Sequence, residues 1–278
     1  MNTVEFTGIV LIASTLAGLV GSLTGLGGGV IVTPVLMLFL KVDLRYAIGA
    51  SLISVIATSS GAAAAYVRDG FSNIRIGMFL EIATTLGALF GAYLGAHIPT
   101  GILSIIFGVV LLQAAWQTVR EHKGNKAALP PDPTAERLKL NGAYYVGGRL
   151  EHYAAHRIKT GFSLMFGAGT LSGLLGIGSG SLKVIAMDQA MQLPFKVSTA
   201  TSNFMIGVTA AASASIYLSR GYVNPAIVMP VMLGVLCGST VGARLLPHLP
   251  VTILRRVFAV VVAVIGLEMM FEGIRGQH

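Results

Sequence analysis

Two glycine clusters offer backbone rather than side chains for chemistry: Gly25-Leu26-Gly27-Gly28-Gly29 and Gly176-Ile177-Gly178-Ser179-Gly180, each inside a long apolar run. An interior glycine costs a helix about 1 kcal/mol relative to alanine, so three or four together are expected to break it. A helix restarting after the break presents free N–H groups and the positive end of its dipole, which bind an anion without a charged side chain. Ser179 and Ser181 stand at the second break, with Lys183 and Asp188 just beyond it. Further on comes Ser198-Thr199-Ala200-Thr201-Ser202-Asn203, matched in the first half by Ala47-Ile48-Gly49-Ala50-Ser51-Leu52. Hydroxyl and amide donors at this density suit a small oxyanion, because each oxygen needs several donors once dehydrated. Ser51, Ser202 and Asn203 are the favoured members, the rest having helix-to-helix bonding as their alternative.

The ionisable residues inside apolar runs come next. Lys183 either adds positive charge to the anion site or snorkels to an interface and pairs with Asp188. Glu81 and Asp188 are candidates for carrying a proton or another coupling ion, and Glu81 alternatively begins near the membrane interface. Ser179 with Lys183 four residues on allows an intramembrane serine hydrolase with a lysine base, but their equivalents in the other half, Gly28 and Val32, have neither group. All six histidines fall at span ends, in the central linker or at the terminus. His152 and His156, spaced i and i+4 beside Glu151, form a metal pair only with a third ligand, so a solvated basic helix is expected there and no metal site. Neither cluster is followed by Lys-Ser/Thr, as a phosphate-binding loop requires. No cofactor and no catalytic residue are assigned.

The elements that position these residues are set by composition. Of 278 residues, 54% are hydrophobic and 11% charged. Soluble domains carry roughly a quarter charged residues, so most of this surface is expected to face lipid. The net charge of +8 reads as basic residues that orient spans, not as nucleic-acid binding. Cys237 is the only cysteine, which excludes an intrachain disulfide and a thiolate cluster. Apolar blocks lie near 6–40, 46–67, 74–96, 101–119, 160–193, 197–219, 225–246 and 251–271. The first span follows no basic n-region and is expected to be retained.

The two sets of four match at a constant offset of 151 residues: Gly25/Gly176, Gly27/Gly178, Gly29/Gly180, Ser51/Ser202, Thr58/Thr209, Tyr66/Tyr217, Gly87/Gly238 and Gly91/Gly242 are identical pairs. Internal duplication is the usual architecture of secondary transporters, whose site lies between the repeats near midplane. The expected fold is therefore an all-α integral membrane protein of two four-block repeats, each opening with a glycine-broken helix or hairpin. Residues 1–119 form the first repeat, 120–159 a basic linker and 160–278 the second repeat. Gly87/Gly91 and Gly238/Gly242 read as close-packing contacts instead of breaks. If each first block is a hairpin, the repeats are inverted and the basic residues divide 14 to 4, against 12 to 6 for parallel repeats, with Lys183 outside both counts. The positive-inside rule favours the inverted arrangement with the linker cytoplasmic.

The duplicated unit, with Gly25-Leu26-Gly27-Gly28-Gly29 followed by Pro34, then Ala50-Ser51 and the Tyr66 to Gly70 exit, resembles the sulfite exporter TauE/SafE family over roughly 8–119 and 160–271. The second half departs from it with Ser179 and Ser181 in the cluster and Ile185 where Pro34 has its counterpart. The resemblance implies a multi-pass carrier in the cell (inner) membrane. It would move sulfite or a short sulfonate such as sulfoacetate, as an exporter driven by an ion gradient, with both glycine breaks, Ser51 and Ser202 around the substrate. An anion channel is the alternative within transport.

Overall fold

A computed structural model describes residues 3–24, 29–68, 72–119, 132–146, 149–178, 180–245 and 251–275. The first half runs α1 (Thr3–Thr24), the short α2 (Gly29–Pro34), α3 (Leu44–Arg68), α4 (Ile74–Gly95) and α5 (Thr100–Val119). The second runs α7 (Ile158–Leu175), α8 (Gly180–Ile185), α9 (Phe195–Ser219), α10 (Pro225–Leu245) and α11 (Val251–Arg275). Between them lie α6 (Pro133–Arg137) and a two-stranded antiparallel hairpin, β1 (Gly142–Val146) with β2 (Arg149–Tyr153).

Each short helix widens into a π turn, Val35–Phe39 after α2 and Ala186–Ala190 after α8. Pro34 lacks an N–H and would account for a lost helical bond, yet Ile185 precedes the same turn, so proline alone does not cause it. The chain leaves both turns identically. The Val42 N–H reaches the Leu36 carbonyl at 3.1 Å and the Leu193 N–H the Met187 carbonyl at 3.0 Å. Lys41 (φ 52°) and Gln192 (φ 57°) are both left-handed. All of these pairs are 151 residues apart. At about 1.5 Å per residue, α2 or α8 with its turn reaches only about halfway across a ~30 Å hydrocarbon layer. Each packs against the long helix before it and the long helix after it.

Long helices meet through small residues. A methyl group on Gly87 would run into the backbone of Phe166 and Thr170, and one on Gly238 into that of Thr15 and Leu19. Gly169 lies equally close to Thr84, and Gly18 to Val235. So α4 packs on α7 and α10 on α1 with backbones in contact, as close packing at Gly87, Gly91 and Gly238 requires. Along α5, Gly101 faces Gly273 and Gly108 faces Gly266, so α5 and α11 run antiparallel. So do α3 and α9: Gly49 lies on Tyr222, Ser59 on Gly207, and Ser72 bonds the Ala200 carbonyl beyond the end of α3.

Polarity is arranged for lipid. Met78, Ile82, Leu86 and Phe90 make an outward apolar stripe on α4, each half or more exposed, and Val260, Val264, Leu267 and Phe271 make another on α11. The interior holds Ser14, Thr33, Ser51, Ser54, Glu81, Lys183, Ser202 and Thr209. In water such apolar stripes would cause aggregation. Among the described residues, α4 and Thr100–Gln117 of α5 are long and apolar enough to cross a membrane by length and composition.

The linker corrects one expectation. His152 lies in β2 and His156 in the extended stretch after it, not on a helix, so the i, i+4 spacing does not put the two side chains on one helical face. The β-prone run Tyr144-Tyr145-Val146, followed by Gly147-Gly148 and a second short run ending in Tyr153, is a hairpin signature that overrides the helical spacing. The segment is folded down onto the helices. Asn73 Nδ2 donates to the Tyr153 hydroxyl at 2.8 Å and the Leu140 carbonyl at 3.2 Å, and the His156 N–H donates to the Met191 carbonyl at 3.0 Å. Ala135, Leu140 and Ala155 share one buried cluster with Ile76, Leu80, Met187 and Met205. Asp132 caps two helices at once: Oδ1 accepts the Thr134 N–H at 2.8 Å and Oδ2 the Ile158 N–H at 2.9 Å.

Candidate functional site

The second break starts where α7 stops. Gly176 takes a left-handed φ of 69°, its N–H bonding the Ser172 carbonyl at 2.8 Å, and Gly178 repeats that φ. These are helix-terminating conformations that side chains resist. The chain then re-enters a helix at Gly180. In the first half, α2 restarts at Gly29.

Two serines lock the breaks. Ser51 Oγ on α3 lies 3.0 Å from the Gly29 carbonyl and 2.9 Å from the Gly176 carbonyl. It therefore touches the restart in its own half and the break in the other. Ser202 Oγ on α9 donates to the Gly180 carbonyl at 3.1 Å, the same bond 151 residues on. Gly29 is packed against Val55, Ser51 and the Gly176 carbonyl, and Gly178 against Ile206 and Val55. Gly29, Ser51, Gly176, Gly178, Gly180 and Ser202 thus form one buried junction between the halves. A hydroxyl has one hydrogen, and here both serines direct theirs to carbonyls. Backbone N–H groups at the helix restarts are the other donors the junction has for a ligand.

The remaining expected residues are placed as follows. Gly25, Gly27, Gly28 and Ser179 lie outside the described residues. Ser181 is in the first turn of α8 and Asn203 follows Ser202 on α9, half-buried. Asp188 sits half-buried in the π turn after α8. Within the polar run on α9, Thr201 accepts the Asn73 N–H at 3.0 Å, whereas the buried Ser198 and Thr199 oxygens have no partner among the described residues.

Lys183 is wholly buried, one turn beyond Gly180. Its Nζ donates to Thr209 Oγ1 at 2.5 Å, and Thr209 Oγ1 lies 2.7 Å from Glu81 Oε1 on α4. Thr85 donates to the same oxygen at 3.1 Å. Glu81 is 8% exposed, and its Oε2 is buried without a partner among the described residues. It lines a cleft of about 390 Å³ between α4 and α9, walled by Met78, Leu86, Phe204 and Val208. Sequence reasoning named Glu81 and Lys183 separately and missed Thr209 as their bridge. A signal was present. Both charges interrupt the repeat, standing opposite Met232 and Val32, while Thr209 keeps its equivalent Thr58.

A family model for Sulfite exporter TauE/SafE matches residues 10–269. The chain is 29% identical over 273 residues to the "Probable membrane transporter protein YunE" of Bacillus subtilis, covering 96% of this chain and 98% of that one. It is 26% identical to the "Probable membrane transporter protein YdhB" of the same organism, covering 95% and 100%. A "Probable membrane transporter protein" of Xylella fastidiosa is 26% identical, with 92% of each chain covered. No solved structure matches the chain significantly.

Proposed function

The chain belongs to the sulfite exporter TauE/SafE family, and on that premise we propose that it is a secondary transporter. Its cargo is a small sulfur-containing anion, sulfite or a short sulfonate such as sulfoacetate, exported by alternating access under an ion gradient. The observation that carries this reading is the Ser51 hydroxyl within hydrogen-bond distance of both Gly29 and Gly176. One side chain thereby joins the two breaks into a junction shared by both halves, where a transporter's site belongs. Gly25, Gly27, Gly28 and Ser179 complete it from sequence, with Ser181 and Asn203 beside it. Its restarting helices supply N–H donors for the oxyanion.

Inverted repeats fit this reading. α3 and α9 hold equivalent places and run antiparallel, as do α5 and α11, whereas repeats related by an axis along the membrane normal would make each pair parallel. The folded linker shares a face with the starts of α4, α7 and α9, the face with the larger basic count, which supports the reading of a cytoplasmic linker in an inner-membrane protein.

The test is thermal unfolding of the purified chain in detergent with sulfite, sulfate, thiosulfate, sulfoacetate, taurine or acetate. A ligand bound only by the native state raises apparent stability by mass action. Selective stabilisation by sulfite or a sulfonate over sulfate and acetate is expected, followed by flux of that anion in proteoliposomes. Equal or absent shifts across the panel would remove the sulfur assignment.

A further inference from the structure

The buried chain Lys183–Thr209–Glu81 serves no evident packing need. Positions 151 residues away hold the apolar Met232 and Val32, so the other half carries no charge at either place. Replacing a buried charge pair by apolar residues of similar volume is often neutral or stabilising. Two ionisable groups kept at membrane depth therefore call for a use. Glu81 has a satisfied oxygen, Oε1, held by Thr209 and Thr85, and one, Oε2, with no partner among the described residues, in a group lining a cleft that opens on the outward stripe of α4.

We infer that Glu81, Thr209 and Lys183 form the proton-binding site that couples transport, with Glu81 Oε2 taking up and releasing the carried proton. This rests on the reading of the protein as a gradient-driven anion carrier. With the carboxylate and the ammonium both charged, the site is neutral. When Glu81 takes up a proton, the Lys183 ammonium, held at Thr209 about two turns along α9 from Ser202, is left uncompensated. A monovalent anion restores neutrality, so one proton binds with each such anion and the neutral pair leaves together, export being driven by the anion's own outward gradient. Thr209 passes the pairing from α8 to α4 and so ties the second break to a helix of the first half. Other charged or titratable groups on the elements packed here are Arg75 near the start of α4, Lys159 near the start of α7, Lys196 and the neutral phenol of Tyr217 toward the two ends of α9, and Asp188 in the turn after α8. The charge acting on Glu81 is that of Lys183, and the charge acting on Lys183 is that of Glu81.

The first experiment needs no substrate. The purified full chain is treated with dicyclohexylcarbodiimide, an apolar reagent that attacks carboxylic acids and not carboxylates, across roughly pH 5 to 9, and adducts are mapped by mass spectrometry. Labelling of Glu81 that falls as pH rises is expected. In Lys183→Met it should persist about one pH unit or more further, a tenfold change in proton affinity, because the neighbouring cation is gone. Labelling absent from Glu81, or indifferent to both pH and Lys183, overturns the inference. The double variant Glu81→Met with Lys183→Val reproduces the other half's residues and guards against misfolding. It should insert and unfold no earlier than wild type, yet take no label.

The second experiment follows sulfite-driven proton uptake by proteoliposomes loaded with a pH-sensitive dye. Glu81→Gln should abolish proton movement and keep the sulfite-induced thermal shift. Loss of the shift as well would make Glu81 part of the anion site and overturn its coupling role. If no sulfur anion binds or moves while Glu81 labelling still tracks pH and Lys183, the substrate reading falls and the proton site stands.

Discussion

Adding one methyl group at Gly178 separates a role in the anion junction from ordinary strain. Gly178 has φ +69°, and a Cβ there would lie 2.9 Å from Ile206 Cγ2 and 3.2 Å from Val55 Cγ1. The left-handed conformation costs an L-residue about 1–2 kcal/mol, and forcing a methylene into a filled space costs about 1–3 kcal/mol. Because Ile206 and Val55 can yield by a few tenths of an ångström, the low end of the second range applies, and Gly178→Ala should lose about 2–3 kcal/mol. That is well inside the ~5–15 kcal/mol of a typical folded chain, so the variant should still insert. Two controls bracket it. Gly221→Ala has φ +76° with nothing within 4 Å, so it pays only the conformational cost of about 1–2 kcal/mol. Gly167→Ala, inside α7 with nothing within 4 Å, should gain up to about 1 kcal/mol. Detergent thermal unfolding at one fixed scan rate, with and without sulfite, should rank them Gly167→Ala, wild type, Gly221→Ala, Gly178→Ala. The sulfite shift should vanish only in Gly178→Ala. Equal unfolding and equal sulfite shifts for Gly178→Ala and Gly221→Ala would refute the reasoning, since Gly178 would then be a turn glycine like any other.

Gly238→Leu should separate α1 from α10, because a side chain there meets the Thr15 backbone and not a movable side chain; crosslinking of cysteines placed across that helix pair should fall, as it should across α4 and α7 in Gly87→Leu. Lys183→Ala should weaken sulfite binding at least tenfold in the thermal-shift titration if its charge faces the anion, and unchanged binding would detach it from the substrate. Asp132 is held below the ordinary aspartate range first by the Ile158 N–H and then by that of Thr134. Its stabilisation is therefore complete above the unfolded value of about 3.9 and lost as pH falls through the lower folded value. Asp132→Asn should cost about 1 kcal/mol near neutrality, the scale of a lost cap, and should shrink the acid destabilisation measured by unfolding from roughly pH 5 down to pH 2.

Much of this molecule was legible in one dimension because the code for it is local. Clustered glycines break a helix wherever they stand, and 11% charge cannot clothe a protein in water. The offset of 151 residues paired Ser51 with Ser202 and Gly29 with Gly180, and those pairs make the same bond in both halves. The helical spacing of His152 and His156 fails because the chain pairs 142–146 with 149–153 across the turn and leaves the strand before His156.

What tertiary structure alone decided is which distant residues meet. Sequence placed Glu81 and Lys183 102 residues apart, each with its own local readings: a coupling-ion carrier or near-interface carboxylate, and an anion-site or snorkelling lysine. Folding brought α4, α8 and α9 together and left both side chains buried on either side of Thr209. The Ser51 contact with Gly176 is of the same kind, a bond between halves that no spacing along one strand of text encodes. Backbone breaks and polarity are properties of a segment's own chemistry, whereas a shared hydroxyl between two breaks or two charges exists only once packing has fixed the distances.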